Sequence, residues 1–147
     1  MNKTFKKVIT GAALIFMVTG CASKCDFAEF KEKYNAAQAK GEEEVKDIEK
    51  IAVKGKYNGE SYNFTVSEDT ADDLSIKETL VFAAVEAYTL AGYALAEVED
   101  KSATYYAGST FKIETEKVTY EFDKYGVVSA VKDDKSDFTI KTTYIKK

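Results

Sequence analysis

The stretch SIKETLVFAAVEAYTLAGYALAEV, residues 75–98, decides the fold. Ser75 followed by Glu78 is a capping box, which predicts that a helix begins here. Apolar residues then recur at steps of three and four along two neighbouring stripes, and between Leu80 and Ala96 the only charge is Glu86. A helix that is apolar nearly all round is buried in a domain or in a membrane. The run is short, rich in alanine and interrupted by Glu86, so we expect a buried helix wrapped by a sheet rather than a membrane span.

Two elements are predicted before this helix. Residues 26 to about 40 carry an apolar face at helical spacing, and Gly41 is expected to end that helix. A β-hairpin follows, because apolar residues alternate on both sides of Asn58-Gly59, a pair typical of two-residue hairpin turns. The faces consist of Phe27, Phe30, Tyr34 and Ala37 for the helix, and of Ile51, Val53, Tyr57, Tyr62, Phe64 and Val66 for the hairpin.

Alternating polar and apolar residues fill the chain after the long helix. Short runs of this kind, separated by turns, lie between Ala103 and Tyr144. Such alternation is typical of an antiparallel sheet with one solvated face. The sequence therefore predicts an α+β domain: an N-terminal helix, a hairpin, the long helix, and an antiparallel meander of about four strands curved around that helix.

The first residues have the features of a secretory signal. Lys3, Lys6 and Lys7 precede a short apolar run, and residues 1–20 contain no acid. Val18-Thr19-Gly20-Cys21 resembles the lipobox of bacterial prolipoproteins. The resemblance implies cleavage before Cys21 and acylation of that cysteine, although the family usually has Leu where this chain has Val18. We therefore expect a cleaved signal peptide over 1–20, a lipidated tether over 21–25 and one domain over 26–147, anchored to the outer face of a cell membrane.

Composition excludes several kinds of function. Removing residues 1–20 would take away three lysines, leaving 18 lysines against 25 acids and a formal charge of −7. That charge disfavours nucleic-acid partners, which require a basic face. With no histidine in the chain, the commonest general base and metal ligand is missing. Once Cys21 is acylated, Cys25 has no partner in its own chain, so it is either a free thiol or a cross-link between two molecules.

Candidate sites remain few. Glu86 could be a buried carboxylate that acts on a ligand, or a residue at the edge of the core. Calcium or hydrolytic chemistry would need one of two acidic clusters, but neither has the spacing of a calcium loop, and both fit solvated turns. The clusters are Glu68, Asp69, Asp72 and Asp73, and Asp133, Asp134 and Asp137. Tyr88, Tyr93, Tyr105 and Tyr106 could line a groove for an apolar or sugar ligand, or could simply belong to the core.

The sequence thus predicts no cofactor, no metal site and no catalytic residue, because nothing assembles a nucleophile, a base and an orienting group. We expect a non-enzymatic binding or interaction domain, with an apolar small molecule or a protein as its partner. The architecture is loosely similar to that of lipid-carrier lipoproteins, which hold an apolar cavity between helix and sheet. The alternative is a structural, envelope-assembly or inhibitor-like lipoprotein that works through protein contacts without a cavity.

Overall fold

A computed structural model describes residues 22–146. It confirms an α+β fold with antiparallel strands. The lipobox residues and Cys21 lie outside the described residues. The helices are α1 (Phe27–Val45) and α2 (Ile76–Glu97), with a short 3-10 turn at Ala71–Asp73. The strands are β1 (Ser23–Cys25), β2 (Ile48–Tyr57), β3 (Glu60–Val66), β4 (Thr104–Ala107), β5 (Phe111–Glu114), β6 (Val118–Phe122), β7 (Val128–Asp133) and β8 (Phe138–Lys146).

All the strands form one sheet, in the order β1-β4-β5-β6-β7-β8-β2-β3, and every pair is antiparallel. The expected meander of about four strands is therefore wrong in two respects. The meander has five strands, β4 to β8. The hairpin β2–β3 joins its β8 edge and β1 joins its β4 edge, which makes an eight-stranded sheet. The alternation of side chains indicated a hairpin and an antiparallel meander but not that the two pair with each other, because pairing between β2 and β8 spans most of the chain.

The described chain opens with a strand rather than a helix, which corrects the expected order. Residues 23–25, assigned to the tether from the sequence, form β1 and pair with Tyr105 to Ala107 of β4. The helix predicted from residue 26 follows as the second element, and Asp26 caps it by accepting a hydrogen bond from the Glu29 amide at 2.8 Å. This helix does not end at Gly41 but continues to Val45.

Both helices lie on the same face of the sheet. Phe30 and Tyr34 of α1 meet Phe111 of β5 edge to face, with ring centroids 5.7 and 5.5 Å apart. Val81, Val85, Gly92 and Ala96 of α2 are buried on that face as well. The opposite face of the sheet carries polar side chains such as Lys112, Glu114 and Lys132, as the alternation predicted.

Helix α2 begins at the predicted capping box, but the expectation that it is buried all round is wrong. Only the stripe that contains Val81 and Val85 is buried, whereas Ile76, Leu80 and Leu90 on the other stripe are 83%, 63% and 70% exposed. Within the described residues, α2 is the one helix long and apolar enough to cross a membrane. Its packing on the sheet makes it a surface helix of the domain, with an apolar outer face.

Candidate functional site

A cleft in the described part of the chain lies beside the end of α1. It measures about 450 Å³, within the range of small-molecule sites. Its walls come from five places: α1, the start of β2, the face of α2, the β6–β7 turn and β8. The lining residues are Gln38, Gly41, Glu42, Ile48, Tyr93, Tyr125, Gly126, Val127 and Tyr144. We call this space the tyrosine cleft.

Close packing between α1 and the β6–β7 turn builds one wall of the tyrosine cleft. A Cβ atom on Gly41 would lie 2.7 Å from the Cβ of Tyr125, so only glycine lets the helix approach the turn this closely. Gly126 has a φ of 76°, and its carbonyl accepts a 2.7 Å hydrogen bond from the Tyr34 hydroxyl. Gly41, which the sequence indicated as a helix end, is thus a packing glycine inside the helix.

The turn itself is held by a buried carboxylate. Asp123 accepts hydrogen bonds from the amides of Tyr125 at 2.8 Å and Val127 at 3.0 Å. Burial raises the pKa of Asp123, and these two amide donors oppose that rise. Both carboxylate contacts serve the turn, so Asp123 holds the wall of the cleft in place rather than acting on a bound molecule.

Two further tyrosines fix the floor of the cleft to the sheet. The Tyr93 hydroxyl accepts a hydrogen bond from the Val128 amide at 3.2 Å, and the Tyr144 hydroxyl donates to the Val128 carbonyl at 3.2 Å. Burial raises the pKa of both tyrosines, so their hydroxyls stay neutral at physiological pH. Because these hydroxyls are engaged by the backbone, a ligand would meet mainly the rings. The cleft therefore suits an uncharged molecule with apolar or planar faces.

Other spaces are less suited to a ligand. Between α2 and the sheet the packing leaves only about 10 Å³, so an apolar ligand of the carrier type would have no room there. A shallower pocket of about 220 Å³ lies where the β2–β3 hairpin meets the start of α2, beside the ion pair between Lys77 and Glu60 at 2.9 Å. That ion pair is exposed, so solvent and salt screen it and it contributes little to stability.

The residues proposed from the sequence do not come together in one place. Of the four tyrosines, only Tyr93 reaches the tyrosine cleft. Tyr105 is buried in the core, whereas Tyr106 lies on the opposite face with the Lys112 ammonium 4.3 Å from its ring. Tyr88 donates a 2.6 Å hydrogen bond to Asp133 instead of lining a groove.

The acidic candidates also find structural explanations. Glu86 is exposed on the outer face of α2, so it is not the buried carboxylate that we considered. Asp133 is buried and accepts from the amides of Lys135 and Ser136, which makes it the cap of the β7–β8 turn. The other acidic cluster, residues 68–73, is exposed around the 3-10 turn. Among residues 22–146, no three histidine, cysteine, aspartate or glutamate side chains are placed to hold a metal ion.

Cys25 has a defined setting in β1. It is half-buried opposite Tyr105 and forms no disulfide within the described chain. Burial raises the pKa of its thiol, and the nearby Glu29 carboxylate adds to that rise. A thiol with a raised pKa is a weak nucleophile at neutral pH, because the thiolate is the reactive form.

Tyr125, Tyr144 and Gln38 were missed from the sequence because the tyrosine cleft joins distant segments. The one usable signal was the spacing of Tyr34, Gln38 and Gly41 on a single face of α1, which the expected stop at Gly41 concealed. Comparison with known proteins gives no match to this chain, whether with a family model, a curated protein or a solved structure.

Proposed function

We propose that this chain is a bacterial lipoprotein, anchored through Cys21 to the extracytoplasmic face of a membrane, whose domain is a non-enzymatic binding module. The tyrosine cleft carries the proposal for the domain. The signal-like residues 1–20 and the lipobox ending at Cys21 carry the proposal for the anchor. The proposed likeness to lipid-carrier lipoproteins extends only to the class of ligand, because the tyrosine cleft and not the space between helix and sheet would hold it.

The walls of the tyrosine cleft favour an uncharged ligand. Its lining combines aromatic rings and aliphatic side chains with the Gln38 amide, and Glu42 is the one ionisable carboxylate in it. Among residues 22–146 no lysine lines the cleft, so an anionic ligand would find no counter-charge from them. Tyrosine rings with neutral hydroxyls bind planar or apolar faces, as in other small-molecule sites. A neutral lipid fragment, an aromatic molecule or a sugar ring fits this chemistry.

Filling the cleft tests the ligand site. Gln38 is exposed on α1 at the edge of the cleft, so Gln38→Trp places a large ring in the space without disturbing the core. Ala39→Trp is the matched control, because Ala39 is exposed one residue further along and does not line the cleft. The full chain, extracted from host membranes in mild detergent, would be examined by native mass spectrometry before and after incubation with host lipid extract and with envelope sugars.

We expect an adduct of defined mass in the parent and in Ala39→Trp, and its loss in Gln38→Trp. A clean apo mass for the parent under all these conditions would contradict the binding function. The anchor is tested separately by the mass of the N-terminal peptide. Diacylglycerol on Cys21 is the expected result, with Cys21→Ser leaving the membrane fraction; an unmodified Cys21 or an uncleaved signal would contradict the anchor.

The runner-up function, an assembly or inhibitor-like lipoprotein acting through protein contacts, is favoured by one observation. The outer face of α2 is apolar and exposed, which is unusual for a monomeric soluble domain.

A further inference from the structure

The outer face of α2 is an apolar surface that nothing in the described chain covers. Its exposed residues recur at steps of four and three, so they form one stripe along the whole helix. The stripe consists of Ile76, Leu80, Ala83, Ala87, Leu90 and Ala94. A partner that buried the three large aliphatic side chains, Ile76, Leu80 and Leu90, would remove apolar surface from water, which is favourable.

The four central residues of this stripe are symmetric about position 85, whereas the two end residues differ. Counted from that position, Ala83 mirrors Ala87, Leu80 mirrors Leu90, and Ile76 mirrors Ala94. When two copies of one helix pack antiparallel around a twofold axis at position 85, mirrored residues meet each other. The stripe then pairs alanine with alanine at the axis, leucine with leucine on both sides, and isoleucine with alanine at the ends. Small residues at the axis let two helices approach closely.

We infer that this face binds a second copy of the same chain, with the two α2 helices antiparallel around position 85. Such an interface is isologous, the commonest arrangement in homo-oligomers. The inference rests on the proposed function in one respect, the lipid anchor, which confines both copies to one membrane.

The charges beside the stripe argue against a lipid surface as its partner. Helices that lie on membranes carry lysine or arginine beside the apolar face. Here the residues beside the stripe include the exposed carboxylates Glu86 and Glu97, and Lys77 at the helix start is paired with Glu60. Acidic residues would be repelled by anionic lipid headgroups.

The size of the face explains why confinement matters. The helix has 22 residues and is therefore about 33 Å long. A contact about 10 Å wide covers roughly 330 Å² per copy, less than half of the approximately 800 Å² per partner in a standard stable interface. A dimer of this size is weak in dilute solution, but anchoring in one membrane raises the effective concentration of each copy.

Glu86 modulates the pairing. It lies beside the stripe and close to the twofold axis, so the two copies bring their Glu86 carboxylates near each other at the rim. Like charges at a solvated rim oppose association and are screened by salt. Glu86→Gln should therefore strengthen the dimer.

Cysteine cross-linking in the host membrane tests the arrangement. In a Cys25→Ser background, one tagged copy carries Ala83→Cys and a second copy with a different tag carries Ala87→Cys. In the antiparallel pair these positions face each other, within disulfide reach. Two copies of the same variant are offset by four residues, about 6 Å along the axis, which places their cysteines beyond disulfide geometry. Lys132→Cys lies exposed on the opposite face of the sheet and serves as the control for cross-linking through random collisions.

We expect a disulfide-linked dimer with both tags in the mixed sample, and neither variant cross-linked when it is expressed alone. Leu90→Glu in both copies should abolish the cross-link without changing the melting temperature, because Leu90 is exposed in the monomer. Glu86→Gln should raise the cross-linked fraction.

Three outcomes would overturn the inference: no mixed dimer, cross-links between identical variants (which indicate a parallel pair), or capture of a protein of another mass. The membrane fraction and the N-terminal peptide mass are read from the same cells. If the protein is in the membrane with acylated Cys21 but forms no mixed dimer, the dimer alone is contradicted. If the protein is outside the membrane, the anchor is contradicted.

Discussion

Replacing Tyr88 by phenylalanine removes one hydroxyl and keeps the ring. That ring stacks on Phe138 with centroids 4.4 Å apart, and the hydroxyl donates to the buried Asp133 carboxylate at 2.6 Å. A hydrogen bond to a charged group contributes about 1.5–3 kcal/mol to stability. We therefore expect Tyr88→Phe to lower the free energy of unfolding by about 2 kcal/mol at pH 7.

The loss in free energy of unfolding caused by Tyr88→Phe should become smaller as the pH falls. The Tyr88 hydroxyl is the main cause that holds the pKa of Asp133 below its ordinary value. A lowered folded-state pKa stabilises the fold above the unfolded pKa, near 3.9, and this stability is lost as pH falls through the folded pKa. Once Asp133 is protonated, only a neutral hydrogen bond remains, which contributes about 1 kcal/mol. The cost of the substitution should thus fall by roughly half in strong acid.

The hydrogen-bonded pair of Tyr88 and Asp133 also affects stability at alkaline pH. Burial, together with the hydrogen bond to Asp133, raises the pKa of Tyr88 to about 12. A raised pKa stabilises the fold fully below the unfolded value, near 10, and this stability is lost as pH rises towards 12. Tyr88→Phe abolishes that dependence.

Urea unfolding followed by circular dichroism measures both effects, since the chain has no tryptophan to report on unfolding. Parent and Tyr88→Phe would be compared at intervals from pH 2 to about pH 12. Thr79→Val serves as a control, because Thr79 is exposed and its hydroxyl bonds only the backbone of its own helix. The assigned role of the Tyr88 hydroxyl would be refuted if Tyr88→Phe lowered the free energy of unfolding by less than about 0.5 kcal/mol at pH 7, or if this loss did not change in acid.

Two further substitutions test the packing of the sheet. Gly55→Ala should lower the free energy of unfolding by about 3 kcal/mol or more, because a Cβ there would lie 2.0 Å from the backbone oxygen of Thr139. Gly59→Ala is the control: it has open space around it and should lower the free energy of unfolding by only about 1 kcal/mol, through backbone strain. Urea unfolding midpoints measure both losses, and equal losses would contradict the clash at Gly55. Thr110→Val should leave the free energy of unfolding unchanged or raise it by up to about 1 kcal/mol, because the buried Thr110 hydroxyl has no hydrogen-bond partner among the described residues. A clear loss of stability in urea unfolding would contradict this and would reveal a partner.

The sequence predicted the local structure well where short-range chemistry determines it. The capping box at Ser75 and the Asn58-Gly59 turn lie where they were predicted, because each depends on contacts between residues at most three positions apart. The strand alternation from Ala103 onward also predicted an antiparallel meander there, although it has five strands rather than about four.

Features that depend on long-range packing were not predicted. The burial of α2 was overestimated, since an apolar stripe indicates that some partner is favoured but not that the same chain supplies it. Gly41 resembled a helix end, whereas its real role is the close approach of Tyr125, more than eighty residues away. The tyrosine cleft arises from that approach, so periodicity could not reveal it.

Strand β1 has a mechanical consequence for a protein held by acyl chains. Only Ala22 separates Cys21 from Ser23, the first residue paired with β4. Two residues of extended chain reach about 7 Å, so the edge of the sheet would lie almost against the lipid headgroups. If Cys21 carries the proposed acyl chains, the domain would not swing freely on a flexible stalk at that distance. The domain would diffuse along the membrane in a restricted set of orientations. Its sides, rather than its anchored edge, would then contact neighbouring molecules.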